Sequence, residues 1–566
     1  MDVFSNQYTM TSLYKFVFSL PILTIIGCSG SGSSTPTVTS NGAVETCFDV
    51  EVTNAGSRQT QNICTTVENG GYNGLGVARF IKFSVNSAAT VSVKATRTSG
   101  LNPADPDIYL FQNGTVVNFA ESTTDNTESL TANLGAGDYV VEINEYAYWN
   151  SSSKQMVDST LTQKTSEPVI AQATAPSTNC NTSMGPSTVT GRVTFDRVPH
   201  FGDALDYRDT SITQEPIQQA VIEVICGDGY YSTGFTDDDG NYTLQYPNGT
   251  TSFVRVNAQM LNASWNFSVV DNTISSQPIY VMDDTNNPLT GSGVATRDFN
   301  ADSGWGTTSY TGPRVAAPFA ILDSVRKAKD AIPGAVVFPS LKINWSPSNT
   351  SLSITTSHYN GSEIFLLGAA DSDTDEYDEH VIIHEWGHYF EDKFSRSDSI
   401  GGRHSGGDIL DMRVAFGEGF GNAFSSIVLN NPNYIDTSGS QQAFGFSINM
   451  EDNNCTNAGW YNECSVQSTL YDIYDASNEG VDSLNLGFEP IYDVLVGPQK
   501  NTPAFTSIFS FTKAFKDLNT TSVSDANALD SILNIQNIDS ITDIYGSSQM
   551  TANPGATDQL PVYGAY

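Results

Sequence analysis

The periodicity of apolar residues changes once along this chain, near residue 300, and that change constrains the fold more than any other feature of the sequence. Before it, short segments such as 78–83 and 89–95 alternate apolar and polar residues between turn residues, a pattern typical of half-buried strands. After it, apolar residues recur at the helical period, as in 316–332. The 566 residues also exceed what one hydrophobic core serves. We therefore expect a multidomain protein in which two β-sandwich modules precede a mainly helical α+β domain.

Composition places the boundaries between these parts. Residues 29–44 are mainly Ser, Thr, Gly and Pro without charge, which is typical of a flexible tether, and a polar linker rich in Ser and Thr lies further along. The predicted segments are, in chain order, a signal peptide at 1–27, a tether at 28–44, a first β-sandwich at 45–150, a linker at 151–184, a second β-sandwich at 185–299 and a mainly helical domain at 300–566.

The N-terminus has the pattern of an export signal. Lys15 precedes a mostly apolar run over 16–26, which is too short to cross a bilayer as a mature helix. The run ends in Ile25-Ile26-Gly27-Cys28, which resembles the bacterial lipobox, whose cysteine is acylated and becomes the first residue after cleavage. The resemblance implies a membrane anchor at Cys28, and Ser29 after it favours the outer membrane or cell surface of a bacterial envelope. Plain secretion with a chance cysteine is the alternative.

The remaining cysteines are even in number, which in an exported chain indicates disulfides rather than free thiols. None stands in a Cys-x-x-Cys arrangement, so cysteine ligation of a metal is not expected. Proximity in the sequence predicts one pair for each of the three folded parts: Cys47 with Cys64, Cys180 with Cys226, and Cys455 with Cys464.

The charge balance argues against one class of partner. The chain has 25 basic and 62 acidic residues, a net charge of −37. Nucleic acid binding requires clustered Lys and Arg that displace counterions from phosphates, so we expect no nucleic acid partner. A solvated acidic surface is the simplest interpretation of the excess.

Three of the six histidines follow at four-residue spacing: we expect His380 to be structural, and the other two frame His384-Glu385-Trp386-Gly387-His388. Acidic residues before this motif suit a helix N-terminus, so we predict one helix over 377–394. At this spacing both imidazoles lie on one helix face, close enough to share a tetrahedral metal ion. A catalytic zinc site needs three protein ligands and an open position. The motif supplies two ligands, and Glu385 can reach a water on the metal as a base.

The third ligand is not fixed by this motif. Phe394 occupies the position at which one common spacing would place a third histidine. Three aspartates offer another option, but none stands in a clear helical frame: Asp398, Asp408 and Asp411. Glu418 does, since it lies 30 residues after His388 in a second predicted helix over 413–430. A solvated helix carboxylate is the alternative for Glu418.

Together, the histidine motif and Gly417-Glu418-Gly419-Phe420 resemble the gluzincins, in particular the fungalysin- and thermolysin-like metallopeptidases. The resemblance implies a zincin-type peptidase domain that holds Zn²⁺ with the two histidines and Glu418. It implies hydrolysis of peptides or proteins with Glu385 as the general base. It also implies that Asn422 orients a ligating histidine, at a position where the family more often has Asp.

The reaction also needs a hydrogen-bond donor for the negatively charged oxygen that forms on the substrate. The sequence departs from thermolysin here, because no histidine follows His404. The candidates are Tyr471 and Tyr474, then His404 and Arg413, and each also suits a structural role. Upstream, 362–368 predicts a strand. It either binds an extended peptide by β-addition, as an edge strand does in the family, or lies in the packed core.

The two β-modules also resemble known families. Segments 105–111 and 134–142 resemble the bacterial prepeptidase C-terminal domain, and 185–299 resembles carboxypeptidase regulatory, prealbumin-like modules. The acidic stretches 237–239 and 371–375 raise the option of Ca²⁺, although a turn and a helix cap explain them without metal. Because the chain has two such β-modules, the second hypothesis is a cell-surface binding or adhesion protein with a vestigial zincin domain. A zinc hydrolase of non-peptide bonds is the third.

Overall fold

The structure is a computed structural model, and it describes residues 44–54, 56–67, 78–123, 126–146, 179–181, 183–285, 287–402, 404–477, 480–551 and 560–565. The predicted signal peptide, the lipobox with Cys28, nearly all of the tether and most of the linker lie outside these residues. Within the described ranges, no helix is both long and apolar enough to span a membrane.

The first module is a sandwich of two antiparallel sheets. One sheet has the strand order β2-β1-β4-β7, and the other contains β3-β8-β5-β6. Alternating residues such as Phe48 and Val50 on one sheet and Ile81 and Val141 on the other meet in one core. A disulfide joins Cys47 to Cys64, which face each other on neighbouring strands. The strands are β1 (Val44–Asn54), β2 (Ser57–Val67), β3 (Ala78–Val85), β4 (Ala89–Ser99), β5 (Pro106–Gln112), β6 (Thr115–Ala120), β7 (Thr127–Leu134) and β8 (Gly137–Glu145).

The strands of the second module are β9 (Pro186–Arg197), β10 (His200–Phe201), β11 (Ala204–Leu205), β12 (Thr213–Pro216), β13 (Ala220–Cys226), β14 (Gly229–Phe235), β15 (Asn241–Pro247), β16 (Ser252–Leu261), β17 (Asn266–Val270), β18 (Val281–Asp283), β19 (Val294–Thr296) and β20 (Phe299–Ala301). β9 pairs with β12, β15, β19 and β20 in a five-stranded sheet. β14-β13-β16-β17 begin a second, eight-stranded sheet, with β18 beside β16. The disulfide between Cys180 and Cys226 ties the chain before β9 to the end of β13.

The remaining elements are α1 (Ala317–Ala331), β21 (Leu341–Trp345), β22 (His358–Tyr359), β23 (Ile364–Leu366), β24 (Gly368–Ala369), β25 (Asp373–Thr374), α2 (Glu379–Phe394), α3 (Met412–Leu429), β26 (Asn433–Ser438), β27 (Phe444–Asn449), α4 (Glu463–Tyr474), α5 (Glu489–Val494), α6 (Ile508–Asp517), α7 (Val523–Ile535), β28 (Met550–Thr551), β29 (Leu560–Pro561) and β30 (Tyr563–Ala565). The prediction of a β-rich N-terminal region followed by a helical region is confirmed. So are the three disulfides, the third joining Cys455 to Cys464.

The eight-stranded sheet continues across residue 300, where the sequence predicted a domain boundary. β17 pairs in parallel with β21, for example Phe267 with Leu341, and β23 and then β22 follow at the edge. Side chains from both sides of residue 300, such as Val269 and Ile343, share one core. The second module and the helical region are therefore joined by main-chain hydrogen bonds and by a common core.

The C-terminal strand joins the first module instead. β30 pairs in parallel with β3 and completes the sheet β30-β3-β8-β5-β6. Close to this strand, the buried guanidinium of Arg413 at the start of α3 donates to the carboxylate of Glu142 on β8 over 3.0 Å. The rings of Phe80 and Phe505 pack edge to face at 5.2 Å. The first module thus has a buried, partly ionic interface with the helical region.

Candidate metal centre

The site lies between three helices, of which α3 and α4 begin with a side-chain cap. α3 begins after Asp411, whose side chain accepts from the N–H of Arg413, and α4 begins after Asn462, whose side chain accepts from the N–H of Ser465. α2 packs against α3, and α3 packs against α4. This arrangement brings the predicted ligands on α2 next to Glu418 on α3.

Glu418 is the centre of the cluster. Its Oε2 atom lies 3.2 Å from Nε2 of His384, 3.3 Å from Nε2 of His388 and 3.3 Å from Nε2 of His404. One ligand atom from each of His384, His388 and Glu418 lies within 4.8 Å of the other two. Two imidazole nitrogens and a carboxylate oxygen therefore converge in the way that a tetrahedral metal ion requires.

Small residues on α3 allow this close approach. A Cβ atom at Gly421 would lie 2.8 Å from Cε1 and Nδ1 of His384, and one at Gly419 would lie 2.6 Å from Cβ of Val466 on α4. The same two helices also meet through the Trp386 ring of α2, which stacks on Phe424 of α3 at 5.7 Å. Gly419 and Gly421 thus set the spacing of the three helices.

Hydrogen bonds orient the first histidine. Nδ1 of His384 bonds to Oδ1 of Asn422 at 2.8 Å, and the Asn422 amide in turn donates to Oε1 of Gln467 on α4 at 2.8 Å. Because Gln467 takes the amide N–H, the Asn422 oxygen is left to accept from Nδ1–H, which leaves the Nε2 lone pair directed at the cluster. Gln467 is buried and had no signal in the sequence beyond its place four residues after Glu463.

Glu385 lies beside the cluster with its two oxygens in different surroundings. Oε2 accepts a hydrogen bond from the backbone N–H of Tyr359 on β22 at 2.7 Å. Within the described part of the chain, no residue donates to Oε1. The other oxygen of this carboxylate is therefore available to a water molecule or a substrate.

Of the four predicted hydrogen-bond donors, His404 is the one that reaches the cluster. Its Nδ1 bonds to Oε2 of Glu463 at 2.8 Å, and Glu463 is the first residue of α4. The Asn462 amide holds the loop after His404 by donating to the carbonyl of Gly406 at 3.3 Å and of Asp408 at 3.0 Å. The Cys455–Cys464 disulfide fixes the same corner.

The other candidate donors lie elsewhere. Tyr471 is buried on α4, and the hydroxyl of Tyr474 donates to Asn430 at 3.1 Å, just beyond the last turn of α3. Arg413 is held by Asp411 and Glu142 at the interface with the first module. The sequence therefore offered four donors, of which the fold brings only His404 to Glu418.

The cluster is electrostatically suited to a cation. Burial opposes ionisation of Glu418, but His404 and His388 outweigh it and hold the pKa of its carboxyl well below the usual range. Burial likewise opposes protonation of His388, yet Glu418 raises the pKa of this imidazole to about 9. Carboxylates thus stabilise positive charge at the centre.

A second acidic group lies on the strands before α2 and after α3. Carboxylate oxygens of Asp373, Asp375 and Asp436 come within 4.8 Å of one another. Burial raises the pKa of Asp373 to about 6 and that of Asp375 and Asp436 well above normal. The earlier acidic turn is different, because Asp237 accepts from the backbone N–H groups of its own turn, at 2.7 Å from Asn241.

Comparison with known proteins supports a peptidase-related interpretation of this region. Residues 338–531, which include α2, α3 and α4, match the family model of the mycolysin C-terminal domain. The chain thus contains a peptidase-related domain that encloses the candidate site. No curated protein matches the chain.

Solved structures give no fold assignment. One similar structure comes from a study of host cell surface retention of a 1.5-MDa bacterial ice-binding adhesin. It is 10% identical, the match covers 45% of this chain and 92% of that chain, and the TM-score is 0.11. BcpA, the major pilin subunit of Bacillus cereus, is 9% identical, with coverage of 45% of this chain and 99% of that chain and a TM-score of 0.10. A Ca²⁺-stabilised adhesin of an Antarctic bacterium is 10% identical, with coverage of 47% of this chain and 75% of that chain and a TM-score of 0.11. Scores this low carry no argument about fold or function.

Proposed function

We propose that this protein is a zinc-dependent endopeptidase of the bacterial cell surface, with Glu385 as the general base. The observation that carries the proposal is the convergence of His384, His388 and Glu418 beside a carboxylate that keeps one oxygen free. The peptidase-related match over the same residues supports it.

The donor set fits zinc. Imidazole nitrogen and carboxylate oxygen are ligands that Zn²⁺ accepts, and three protein ligands leave one position open, as catalytic sites require. His384 has its second nitrogen bonded to Asn422, which is the arrangement that supports a ligating imidazole. When bound, the ion acidifies a water molecule and polarises the carbonyl of the scissile peptide.

The residues of the chain carry out the proton transfers. Glu385 takes the proton of the attacking water at its free oxygen and delivers it to the nitrogen of the leaving group. His404 donates from Nε2 to the oxygen that becomes negative, since its Nδ1 is bonded to Glu463 and the two carboxylates, Glu418 and Glu463, favour its protonated form. A substrate in extended conformation has access to the sheet edge at β22 through outward-facing backbone groups other than the N–H of Tyr359, which is bonded to Glu385.

The sequence left open whether 362–368 is an edge strand that binds the substrate or a strand of the packed core. β23, within 362–368, is flanked by β21 and β22, so it lies inside the sheet. The packed-core interpretation of this segment therefore holds, and β22 lies at the edge of the sheet. We also propose that the lipid anchor at Cys28 retains the enzyme at the outer membrane, which places its peptide or protein substrates outside the cell.

The test compares the full-length chain with Glu385→Gln and Glu418→Gln. We expect about one zinc per chain by elemental analysis and casein hydrolysis that a chelator abolishes in the wild type. Glu385→Gln should keep the zinc and lose turnover, whereas Glu418→Gln should lose both. Full zinc without hydrolysis in the wild type would refute the peptidase and favour the binding or adhesion hypothesis. Absence of zinc would refute the metal site.

A further inference from the structure

The contact between β22 and Glu385 is not explained by the fold alone. β22 is a two-residue strand at the edge of the eight-stranded sheet, and among the described strands it pairs with β23 alone. Asn360 donates its N–H to the carbonyl of Glu363 at 3.1 Å across the hairpin turn. By the alternation of an antiparallel ladder, the next pair, Tyr359 with Ile364, is the non-hydrogen-bonded kind. The N–H of Tyr359 therefore points away from the sheet, and it meets Oε2 of Glu385 at 2.7 Å.

The hairpin is fastened to α2 at a second place. The hydroxyl of Tyr359 donates to Asp392 at 2.8 Å, and Nζ of Lys393 donates to the carbonyl of Gly361 at 3.1 Å. The Tyr359 ring packs edge to face on Tyr389 at 6.1 Å. The backbone N–H of Tyr359 thus contacts α2 at Glu385, and its hydroxyl contacts α2 two turns later at Asp392. These two contacts fix the position of the N–H along the helix.

A carboxylate that acts as a base must present one oxygen to the proton it takes. A hydrogen bond to the other oxygen restricts rotation of the group and stabilises its charge, which matters for a side chain only 7% exposed. We infer that the backbone N–H of Tyr359 positions Glu385 for proton transfer, so that β22 is a part of the catalytic apparatus and not only its substrate-binding edge. This inference rests on the proposed peptidase function.

Two substitutions isolate the N–H group in the full-length chain. Tyr359→Ala and Tyr359→Pro both remove the ring and the bond to Asp392, but only proline removes the N–H. Proline costs no ladder hydrogen bond, since this N–H points outward from the edge strand. We expect kcat for a fluorogenic peptide to be about 10- to 100-fold lower in Tyr359→Pro than in Tyr359→Ala, the loss typical of a hydrogen bond to a charged group. KM and zinc content should be similar in the two variants.

A third variant covers the case in which proline disturbs the hairpin. Incorporation of the α-hydroxy acid analogue of tyrosine at position 359 by nonsense suppression replaces the N–H by an ester oxygen and keeps the ring and the hydroxyl. We expect kcat at least about 10-fold below wild type with unchanged zinc. Equal kcat in the proline and alanine variants, or wild-type kcat in the ester variant, would overturn the inference and leave the proposed function intact. A wild-type chain that binds zinc and cleaves no peptide would refute both.

Discussion

Substituting Gly421 by alanine tests whether the spacing of α2 and α3 holds His384 in the geometry of a metal ligand. The added Cβ would lie 2.8 Å from two atoms of the His384 ring, whereas ordinary contact begins at 3.4 Å. The ring or the helix must therefore move by about 0.6 Å, because close-packed interiors offer no free volume. Metal–ligand distances tolerate about 0.2 Å, and the bond from Nδ1 to Asn422 would also be lost. We expect zinc affinity to fall about 10- to 100-fold, or about 1.4–2.8 kcal/mol.

Gly417→Ala is the matched control. It lies on the same helix, and its added Cβ would meet Oε2 of Glu391 and Cβ of Ser399 at 3.5 Å, which is ordinary contact. Both substitutions bring the same gain in helix propensity, about 1 kcal/mol. The zinc dissociation constant of each full-length variant is measured by competition with a chromophoric chelator. The reasoning is refuted if Gly421→Ala binds zinc as tightly as wild type, or if the two variants weaken binding equally.

Three further predictions follow from the site and its surroundings. His404→Gln should lower kcat about 10²- to 10³-fold with zinc retained, while the control Tyr474→Phe should leave kcat unchanged. Loss of zinc in His404→Gln would instead show that His404 is a metal ligand. Arg413→Met should cost about 3–5 kcal/mol of unfolding free energy in urea, because it leaves Asp411 and Glu142 buried and unpaired. Arg58→Met, which removes an exposed ion pair with Glu51, should lower the free energy of unfolding by less than about 1 kcal/mol. Equal losses in the Arg413 and Arg58 variants would contradict the prediction. Burial raises the pKa of Asp373 to about 6, so this group makes the folded state lose stability as pH rises from about 4 to about 6, and the loss is complete above that pH. Ca²⁺ bound at this cluster should therefore raise Tm at pH 7.5 but not at pH 5, and no shift at either pH would refute calcium binding there.

Local signals in the sequence predicted what depends on neighbours along the chain. The period of apolar residues predicted the order of strands and helices, and proximity predicted the pairing of Cys47, Cys180 and Cys455 with their partners. The helix with His384 begins at Glu379, within two residues of the predicted start. Its four-residue spacing alone places both imidazoles on one face, because that geometry belongs to any helix.

Contacts between distant segments had no such signal. Glu463 and Gln467 stand one turn apart on α4 and serve His404 and Asn422, yet a Glu and a Gln on a helix are typical of a solvated face. Tyr359 acts through its backbone, which is the same for every residue except proline. The position of β22 at the sheet edge depends on a two-residue strand, too short for any periodicity to show.

Contacts between distant segments also join the first module to the helical region, and no local pattern in the sequence predicted them. The buried charge of Arg413 has one of its two carboxylate partners, Glu142, in the first module, and Tyr563 of the last strand packs on Phe80 of that module at 5.5 Å. Without residues 44–145, the guanidinium would keep only Asp411 and the faces of Phe505 and Tyr563 would meet water. Since Arg413 lies in the first turn of the helix that carries Glu418, a disturbance there reaches the candidate metal centre along this helix. The first module is therefore a structural support of the region that holds the candidate metal centre, and the proposed activity is to be measured on the whole 566-residue chain.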